Sequence, residues 1–530
     1  MAGPLHGAGQ LEALGRRGLE AMRAGRPAEA EAAFAQIVSA NPKEHRAWHM
    51  LAVIALNATR AHEAVGFAQR ALQHDRRNPT YLNTLGIAAA ECGTFDEAIA
   101  HFRRALREKP GFVDAAYNLG KALFKIDDLE GARAAYARAL AYDPRHPGLR
   151  KNLAQALRGL GALDEAIALL EQASTESPGD EHVLVQLAGA HRERSGTDAA
   201  LAFYRTAIDR LPASALLRAC YGGLLLSRGE WRAGWSRYLL RDLVPRAGPP
   251  PEWGSLPHDL AGTRACLVAE QGLGDVLFFC RFAPELGRRG AALVIECQAK
   301  LVPLLRRSPL FDEVRPADAA GPGTELRLFV GDLPAISGTE TTPPPLPLAA
   351  LPERLAHCRA TLARHGDGPF IGVTWRAGVD RREPEFGRRL DALYKAVDLD
   401  ALASALAGVP GTFISLQRRP RPEETARLAQ RLRRPVADLS ALNEDLEDMA
   451  ALLVALDDYV GVSNTNMHLA AGLGKTARVL VPYPPESRWM DAGDASPWFP
   501  GFTVYRQSAA RSWDEAMARL RGDLLARERP

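Results

Sequence analysis

The sequence YVGVSNTNMHLAAGLGKTARVLV, from Tyr459 to Val481, contains two apolar runs with a polar turn and a small-residue segment between them. The runs predict buried β-strands, and the segment predicts a helix. The turn, Ser463 to Asn466, comes where the first strand meets the helix, and His468 follows within the next turn. Turns after parallel strands are where α/β folds bind their ligands. The stretch therefore predicts an α/β domain with a polar site at one strand end.

Strands and helices alternate through the whole second half of the chain. The strand-like apolar runs are RACLVAE, AALVIEC, LRLFV, FIGVTW, GTFISL, DYVGVS and ARVLV. This alternation predicts parallel sheets, and the proline-rich stretch TTPPPLPLAALP divides the strands into two groups. We therefore expect two Rossmann-like domains, residues 263–345 and 346–530. Polar turns at 271–275, 376–380 and 463–468 are predicted to face the cleft between them.

The first half, residues 11–244, has a 34-residue period. Alanine recurs in steps of 34, and proline recurs in the same phase except where Arg76 replaces it. The alanines are Ala30, Ala64, Ala98, Ala132, Ala166 and Ala200, and the prolines are Pro42, Pro110, Pro144, Pro178 and Pro212. This is the tetratricopeptide pattern, in which alanine lets two helices approach and proline follows the second helix. Six copies and a degenerate seventh predict an α-solenoid after a tail, residues 1–10.

A solenoid of helix pairs forms a concave groove, because no single pair can bury its apolar face alone. Such grooves bind extended peptides or proteins, and a rigid spacer is the alternative function. The segment after the last repeat, LVPRAGPPPEWGSLPHDLAG, is rich in proline and glycine. Residues 245–262 are therefore predicted to link the solenoid to the α/β half.

Composition argues against nucleic acid and membranes as partners. The formal charge of +3 over 530 residues is too small to hold a nucleic acid by its field. No run reaches the ~18 apolar residues of a membrane span, and the opening MAGPLHGAGQ lacks the pattern of a signal peptide. The six cysteines are widely spaced, which is typical of reduced thiols. We expect a cytoplasmic protein.

Common cofactor and metal motifs are missing from the sequence. QGLGD contains one G-x-G but lacks the third glycine of a dinucleotide fingerprint. The chain has no Walker lysine, no G-x-S-x-G and no H-E-x-x-H. Asp398 and Asp400 come at a predicted helix start, where acids are ordinary caps. The sequence therefore predicts no metal site and no cofactor.

Several motifs carry a family resemblance when they are taken together with the repeats. They are EQGLGDVLFFCRF, ISLQ, ADLSALNEDLEDMAALLVALDDYVGVSNTNMHLAAGLGK, SPWFPGF and YRQS. The chain resembles bacterial repeat-containing glycosyltransferases, whose two Rossmann-like domains form the GT-B fold of heptosyltransferases and O-linked N-acetylglucosamine transferases. VSNTNMHL, TWRAG, LYK and SLQR are more similar to repeat-containing flagellin glycosyltransferases, which attach nonulosonic acids in the cytoplasm.

The resemblance implies a nucleotide-sugar donor and a protein acceptor chosen by the repeat groove, with flagellin as a candidate. A lipid or polysaccharide acceptor is one alternative, and a non-catalytic adaptor with a decayed transferase domain is another. Most relatives have an Asp-Thr pair before the histidine of the turn. Here Ser463 or Asn464 takes the acidic position. The donor contacts of the family therefore do not transfer directly to these two residues.

The turn and its histidine are the predicted donor site. Glycosyl transfer develops negative charge on the departing phosphate, and a helix N-terminus supplies amide donors without a metal. Asn464, Thr465 and Asn466 open the helix, so their amides and side chains can hold a phosphate or a sugar. His468 can hydrogen-bond the sugar or donate to phosphate; a helix histidine capping local carbonyls is the alternative. Asn464 and Thr465 are also common N-cap residues.

Two cations and one carboxylate complete the predicted site. In the resemblance, a lysine or arginine contacts the donor phosphates, which points to Lys395 and Arg376; solvated surface charge is the alternative. The resembling heptosyltransferases have an aspartate in the G-D step, their candidate general base, and Asp275 occupies this position. An ordinary helix cap is the alternative for Asp275, and Glu270 is the next carboxylate to consider.

Overall fold

A computed structural model describes residues 8–146, 148–241, 251–317, 319, 326–377 and 395–526. The described residues divide into two compact units, one reaching Ala190 and the other starting at His191. Parts of three predicted features lie outside the described residues: the tail before Ala8, the first part of the linker (245–250) and the end of one polar turn (378–380). The two units are considered separately below.

Helices account for the described residues up to Tyr238, where the 34-residue period predicts them. Successive helices pair as antiparallel neighbours in the order of the chain, first with second and third with fourth. The bounds are α1 Ala8–Arg23, α2 Pro27–Ala40, α3 His45–Asn57, α4 Ala61–His74, α5 Pro79–Glu91, α6 Phe95–Glu108, α7 Val113–Lys125, α8 Leu129–Tyr142, α9 Leu149–Gly159, α10 Leu163–Glu176, α11 Glu181–Ser195, α12 Thr197–Arg210, α13 Ala215–Ser227 and α14 Trp231–Tyr238. The predicted helix pairing is confirmed for α1–α2, α3–α4, α5–α6, α7–α8, α9–α10 and α13–α14.

Close packing within each pair follows from the repeated small residues. Each alanine of the 34-residue series is fully buried. Gly86 lies against the ring of Phe102, so closely that a β-carbon on it would be 2.5 Å from Cε1. Gly120 has the same relation to Tyr136. In these two repeats the aromatic ring of the second helix therefore leaves no room for a β-carbon on the first helix.

A line of polar side chains runs along the first helices of the first unit. His49 Nε2 lies 3.0 Å from Thr84 Oγ1 in the next repeat. Asn118 Nδ2 donates to Asn83 Oδ1 at 3.2 Å, and Asn152 Nδ2 donates to the hydroxyl of Tyr117 at 3.2 Å. Each bond spans about one repeat and joins two first helices. We call these six residues the polar line.

The second unit contains two parallel sheets. The smaller has the order β3-β2-β1-β4 and the larger has the order β12-β11-β10-β5-β8-β9. Their strands are β1 Arg264–Val268, β2 Ala292–Cys297, β3 Glu313–Pro316 and β4 Leu326–Phe329, then β5 Phe370–Thr374, β8 Thr412–Ser415, β9 Val436–Asp438, β10 Asp458–Val462, β11 Arg478–Val481 and β12 Thr503–Arg506; β6 Arg376–Ala377 and β7 Lys395–Ala396 form a short antiparallel ribbon. The predicted alternation and parallel pairing are confirmed.

Helices connect these strands along the chain. They are α15 Leu273–Phe279, α16 Pro284–Arg288, α17 Val302–Arg306, α18 Leu333–Ile336, α19 Pro352–Leu362, α20 Leu399–Leu406, α21 Pro422–Leu432, α22 Leu446–Ala455, α23 Thr465–Gly472 and α24 Asp514–Ala526. The strands β3, β9 and β12 are additional to the predicted ones. They are three or four residues long and include charged residues or proline, so no apolar run marks them.

The last helices and the described part of the predicted linker pack into the core of the second unit. Trp235 of α14 and Leu256 of the linker are both buried there, and the amide of Leu256 donates to the carbonyl of Ile336 at 3.0 Å. Arg241 donates to Asp332 at 2.7 Å. The predicted boundary at 244/245 therefore falls inside one compact unit. Proline and glycine indicate irregular backbone, and irregular backbone can still be packed.

Two further findings concern the cysteines and the predicted absence of a membrane span. None of the six cysteines forms a disulfide. In the part of the chain that the structure describes, no helix combines the length and apolar character that a membrane crossing requires.

Candidate functional site

The turns that follow β1 and β10 touch each other. Gly274 lies in the first turn of α15, directly after β1, and His468 lies in α23, directly after β10. A β-carbon on Gly274 would be 2.9 Å from His468 Cδ2 and 3.4 Å from Thr465 Cα. The carboxyl ends of the two sheets thus meet at this point, which is where α/β proteins bind ligands. The close approach requires a glycine.

Arg488 joins the two residues that were predicted to be catalytic. One of its terminal nitrogens, Nη2, donates to Asp275 Oδ1, and the other, Nη1, lies 3.5 Å from His468 Nε2. The guanidinium also stacks over the ring of Phe278, 4.3 Å from its centroid. Asp275 retains about 33% of its side-chain exposure, whereas Arg488 has 18%. Asp275 is therefore the member of this group that an acceptor can reach.

His468 is held as a neutral imidazole. Burial lowers its pKa well below 6.5, and the positive charges of Arg488, Arg281 and Lys395 lower it further. A guanidinium can only donate, so Nε2 is the acceptor in the contact with Arg488 and Nδ1 carries the proton. No described residue accepts a hydrogen bond from Nδ1. The alternative function for this histidine, capping local carbonyls, is therefore not observed among the described residues.

Lys395 lies beside the turn that follows β10, and its contact with a donor phosphate remains a prediction. Its ammonium lies 2.7 Å from Glu486 Oε2, and it also donates to the carbonyl of Ser463 at 3.2 Å. The Ser463 hydroxyl donates to the other oxygen of Glu486. Lys395, Ser463 and Glu486 thus form one hydrogen-bonded group beside α23.

Asn464 is engaged in the fold itself. Its side-chain oxygen accepts from the Met467 amide at 3.3 Å, as an N-cap does. Its amide donates to Tyr459 at 2.9 Å and to Thr374 at 3.1 Å. Both the oxygen and the nitrogen of the Asn464 side chain are therefore hydrogen-bonded within the fold. The N-cap alternative is therefore observed for Asn464, and its predicted donor contact remains a prediction.

Asn466 and Thr465 differ in what they offer a ligand. Asn466 is buried, and its amide donates to Asn443 Oδ1 at 3.3 Å. Thr465 is partly exposed beside Gly274, and its hydroxyl bonds to none of the described residues. Of the three polar residues that open α23, Thr465 has the side chain most available to a donor.

Arg376 is placed differently from Lys395. Its guanidinium forms a bidentate pair with Glu424, at 3.1 Å through Nε and 3.0 Å through Nη2. It also donates to the carbonyl of Arg419 at 2.6 Å. The charge of Arg376 is thus balanced by a carboxylate on α21. The predicted phosphate contact of Arg376 is not tested by this arrangement and would require the pair to open.

Glu270, the second choice for the base, belongs to a buried network. Arg241 donates to Glu270 Oε1, and Gln271 donates to the same oxygen at 3.1 Å. The Tyr238 hydroxyl donates to Gln271 at 3.1 Å. The Glu270 side chain is only 5% exposed. Between the two carboxylates, the geometry favours Asp275 for contact with an acceptor.

Sequence reasoning missed Glu486 and Arg488. Both lie in the loop after β11, which pairs directly with β10 through Val462 and Leu480. The rule that selected the other turns, proximity to a strand's carboxyl end, applies to this loop as well. Trp489 of the same loop is fully buried and stacks on Phe499 with ring centroids 4.5 Å apart. Trp498 is also buried, so both tryptophans pack in the core.

Of the two acidic residues at the start of α20, Asp398 acts as the predicted cap and Asp400 does not. Asp398 accepts from the amide of Ala401 at 2.8 Å and so caps the helix, while Asp400 pairs with Arg427 and Arg431. Within the described ranges, no three His, Cys, Asp or Glu side chains are grouped to hold a metal ion. That the protein works without a metal or cofactor remains a prediction.

Comparison with known proteins identifies the helical repeats. Residues 16–81, 89–154 and 127–185 match models of the tetratricopeptide repeat. The N-terminal helices are tetratricopeptide repeats. A tetratricopeptide-repeat protein from Parabacteroides merdae is 19% identical, with a TM-score of 0.37, over 43% of this chain and 90% of its own. One from Thermus thermophilus is 22% identical, with a TM-score of 0.29, over 34% and 98%.

One relative also aligns beyond the length of the tetratricopeptide repeats. Protein FlbA from Caulobacter vibrioides is 27% identical over 340 residues, which are 58% of this chain and 54% of FlbA. The chain thus spans about half the length of this relative.

Proposed function

We propose that the protein is a GT-B glycosyltransferase that moves a sugar from a nucleotide-activated donor to a protein acceptor held by the tetratricopeptide repeats. The observation that carries this proposal is the contact of Asp275, Arg488 and His468 where the carboxyl ends of two parallel sheets meet. An accessible carboxylate, a cation and a neutral imidazole are the groups that glycosyl transfer requires. No metal and no cofactor are part of the proposal.

The leaving group is stabilised by the cations and by α23. As the bond between the sugar and the phosphate breaks, its electron pair moves to the phosphate oxygen and negative charge develops there. Arg488 and Lys395 lie beside the N-terminus of α23, which supplies free amides for the same charge. The Nδ1–H of His468 is buried without a partner among the described residues, and it would donate to the sugar or the phosphate if donor binding exposes it. The transition state is oxocarbenium-like, as in glycoside hydrolysis.

Asp275 is the proposed general base. Its Oδ1 accepts from Arg488, which orients the carboxylate, and none of the described residues hydrogen-bonds to Oδ2. In the transfer step, Oδ2 takes the proton of the acceptor hydroxyl while the hydroxyl oxygen bonds to the anomeric carbon. The helix-cap alternative has less support, because the Asp275 carboxylate accepts from a cation of another loop and α15 shows no side-chain cap bond.

The repeats are proposed to choose the acceptor. The polar line offers donors and acceptors along successive first helices, which suits the backbone of an extended segment. By the resemblance of the turn motifs, flagellin is the candidate acceptor, a nonulosonic acid the candidate sugar and the cytoplasm the site of action. A lipid or polysaccharide acceptor and a non-catalytic adaptor are the competing functions.

A mass measurement separates these functions. The full chain is incubated with flagellin and a panel of nucleotide sugars, including nonulosonic-acid donors, in EDTA. We expect flagellin to gain the mass of one or more glycosyl groups, with the metal removed. Sugar transfer to lipid or polysaccharide extracts alone would support the second function. Neither transfer nor nucleotide-sugar binding would support the adaptor, and activity only with added Mn²⁺ or Mg²⁺ would refute metal independence.

A further inference from the structure

Glu486 is a buried carboxylate with an unusually complete set of donors. Lys395 Nζ lies 2.7 Å from its Oε2. Its Oε1 accepts from the indole of Trp489 at 2.7 Å and from the Ser463 hydroxyl. The side chain is 15% exposed. Since buried charges are costly unless they are paired and hydrogen-bonded, this arrangement holds the carboxylate in one position.

The position matters because the turn at the head of α23 has no carboxylate of its own. Ser463, Asn464, Thr465 and Asn466 are all neutral. Glu486 comes from the loop after β11, and β10 and β11 are adjacent parallel strands. Their carboxyl-end loops therefore lie side by side, and the loop after β11 brings a negative charge to the hydroxyl of Ser463.

Positive charge exceeds negative charge around this carboxylate. Burial would raise the pKa of Glu486. The positive charges of Lys395 and Arg488 outweigh burial and lower this pKa to about 2. Arg281, whose charge also reaches His468, donates to the carbonyls of Phe278 and Trp498. Glu486 is thus ionised at any working pH, and its charge faces the ammonium of Lys395.

Lys395 depends on Glu486 for its location. A lysine side chain is long and flexible, so its ammonium stays in one place only where acceptors surround it. The other two acceptors are oxygens of Ser463, at 3.2 Å and 3.4 Å, and both are uncharged. The charged contact with Glu486 is also the shortest of the three.

We propose that Glu486 is the positioning residue of the donor side, holding the ammonium of Lys395 against Ser463 at the head of α23. This rests on the proposed function, since the role of Lys395 toward a donor phosphate is part of that proposal. Glu486 itself touches no reacting atom in this scheme. Its effect on transfer passes through the position of Lys395.

The test removes the carboxylate at position 486 and then introduces one at position 463, next to the ammonium of Lys395. Glu486→Gln keeps the shape but removes the negative charge that faces the ammonium. We expect the KM for the nucleotide sugar to rise about 10-fold or more, with a smaller change in kcat, because a charge-assisted bond is lost. Adding Ser463→Asp should restore the KM to within about threefold of wild type, since the Ser463 hydroxyl already lies 3.4 Å from Lys395. A purely structural role for Glu486 predicts no such rescue.

A second readout does not depend on transfer. Acetylation of Lys395 by a lysine reagent, measured by mass spectrometry, should be several-fold faster in Glu486→Gln and return toward wild type in the double variant. Glu444→Gln, which removes an exposed partner of Lys300, is the matched control and should leave Lys395 unchanged. Unchanged KM and unchanged acetylation in Glu486→Gln would overturn the inference. Failure of the wild type to transfer or bind any nucleotide sugar would instead refute the proposed function, and acetylation would still decide the role of Glu486.

Discussion

Gly274 lies directly against the imidazole of His468, with no room for a β-carbon between them. The two residues come from helices that follow strands of different sheets, and they are 194 positions apart in the sequence. The carboxyl ends of β1 and β10 can approach this closely because residue 274 has no β-carbon.

Gly274→Ala should disturb this contact. The new methyl carbon would be 2.9 Å from His468 Cδ2, so the imidazole or α15 must move, at a cost of about 1–3 kcal/mol. We expect a lower melting temperature and loss of most of the transfer activity. Gly223→Ala is the control, because a β-carbon there meets nothing within 4 Å. Wild-type activity in Gly274→Ala would show that the contact is not needed for transfer.

Asp275→Asn separates a base from a helix cap. Asparagine caps a helix about as well as aspartate, but it cannot take the proton of the acceptor. We expect donor binding to persist and the transfer rate to fall about 10²-fold or more. Asp494→Asn, at a side chain that is 73% exposed, should have no effect on either quantity. If Asp275→Asn transfers sugar normally, Asp275 is not the base and Glu270 becomes the carboxylate to test.

His468 should make the second unit less stable in mild acid. Its pKa is lowered in the folded state from 6.5, so the unfolded chain takes up a proton that the folded chain does not. Stability is therefore lost as the pH falls below 6.5. Between pH 7.5 and 5.5 we expect the free energy of unfolding to fall by about 1 kcal/mol more in the wild type than in His468→Gln.

Urea unfolding followed by tryptophan fluorescence measures this difference, because every tryptophan except Trp48 lies in the second unit. Burial also lowers the pKa of His49, to about 4, so the unfolded chain takes up a second proton in the same window. His49 is present in both proteins, so its contribution cancels. Equal pH dependence in the two proteins would mean that His468 is not buried as a neutral imidazole.

The polar line should affect the acceptor and not the donor. Asn118→Ala together with Asn152→Ala removes two links of the line. We expect the KM for the acceptor protein to rise at least several-fold, with the KM for the nucleotide sugar unchanged. Gln69→Ala, at an exposed position on the second helix α4, is the control. If the double variant uses the acceptor as well as wild type does, acceptor selection lies elsewhere.

Local signals predicted most of the fold. The 34-residue period fixes the helix pairs because the alanine and the proline of each repeat act on neighbours in the sequence. The long apolar strands were likewise found from their own residues, since burial on both faces of a parallel strand leaves a continuous apolar run. Short strands such as β9, with Asp438 at its end, form only because a longer neighbour pairs with them.

The site was predicted less completely, because its contacts are long-range. The polar turn after a predicted strand pointed to His468, and the family resemblance pointed to Asp275 and Lys395. In the structure each of the three contacts Arg488 or Glu486. Glu486 and Arg488 become visible only when β10 and β11 are known to be neighbours. The sequence pointed to Arg376 but not to its partner, because Glu424 lies 48 residues further along the chain.

The bond between Arg241 and Asp332 has a consequence for the recombination of such proteins. The proline-rich segment is the obvious place to join the repeats of another protein to the α/β part of this chain. A crossover there would separate a buried arginine from its carboxylates and would remove Trp235 from the core it fills. A chimera joined upstream of α12 would keep these contacts. Any such chimera should therefore keep helices α12–α14 together with the α/β part of the chain.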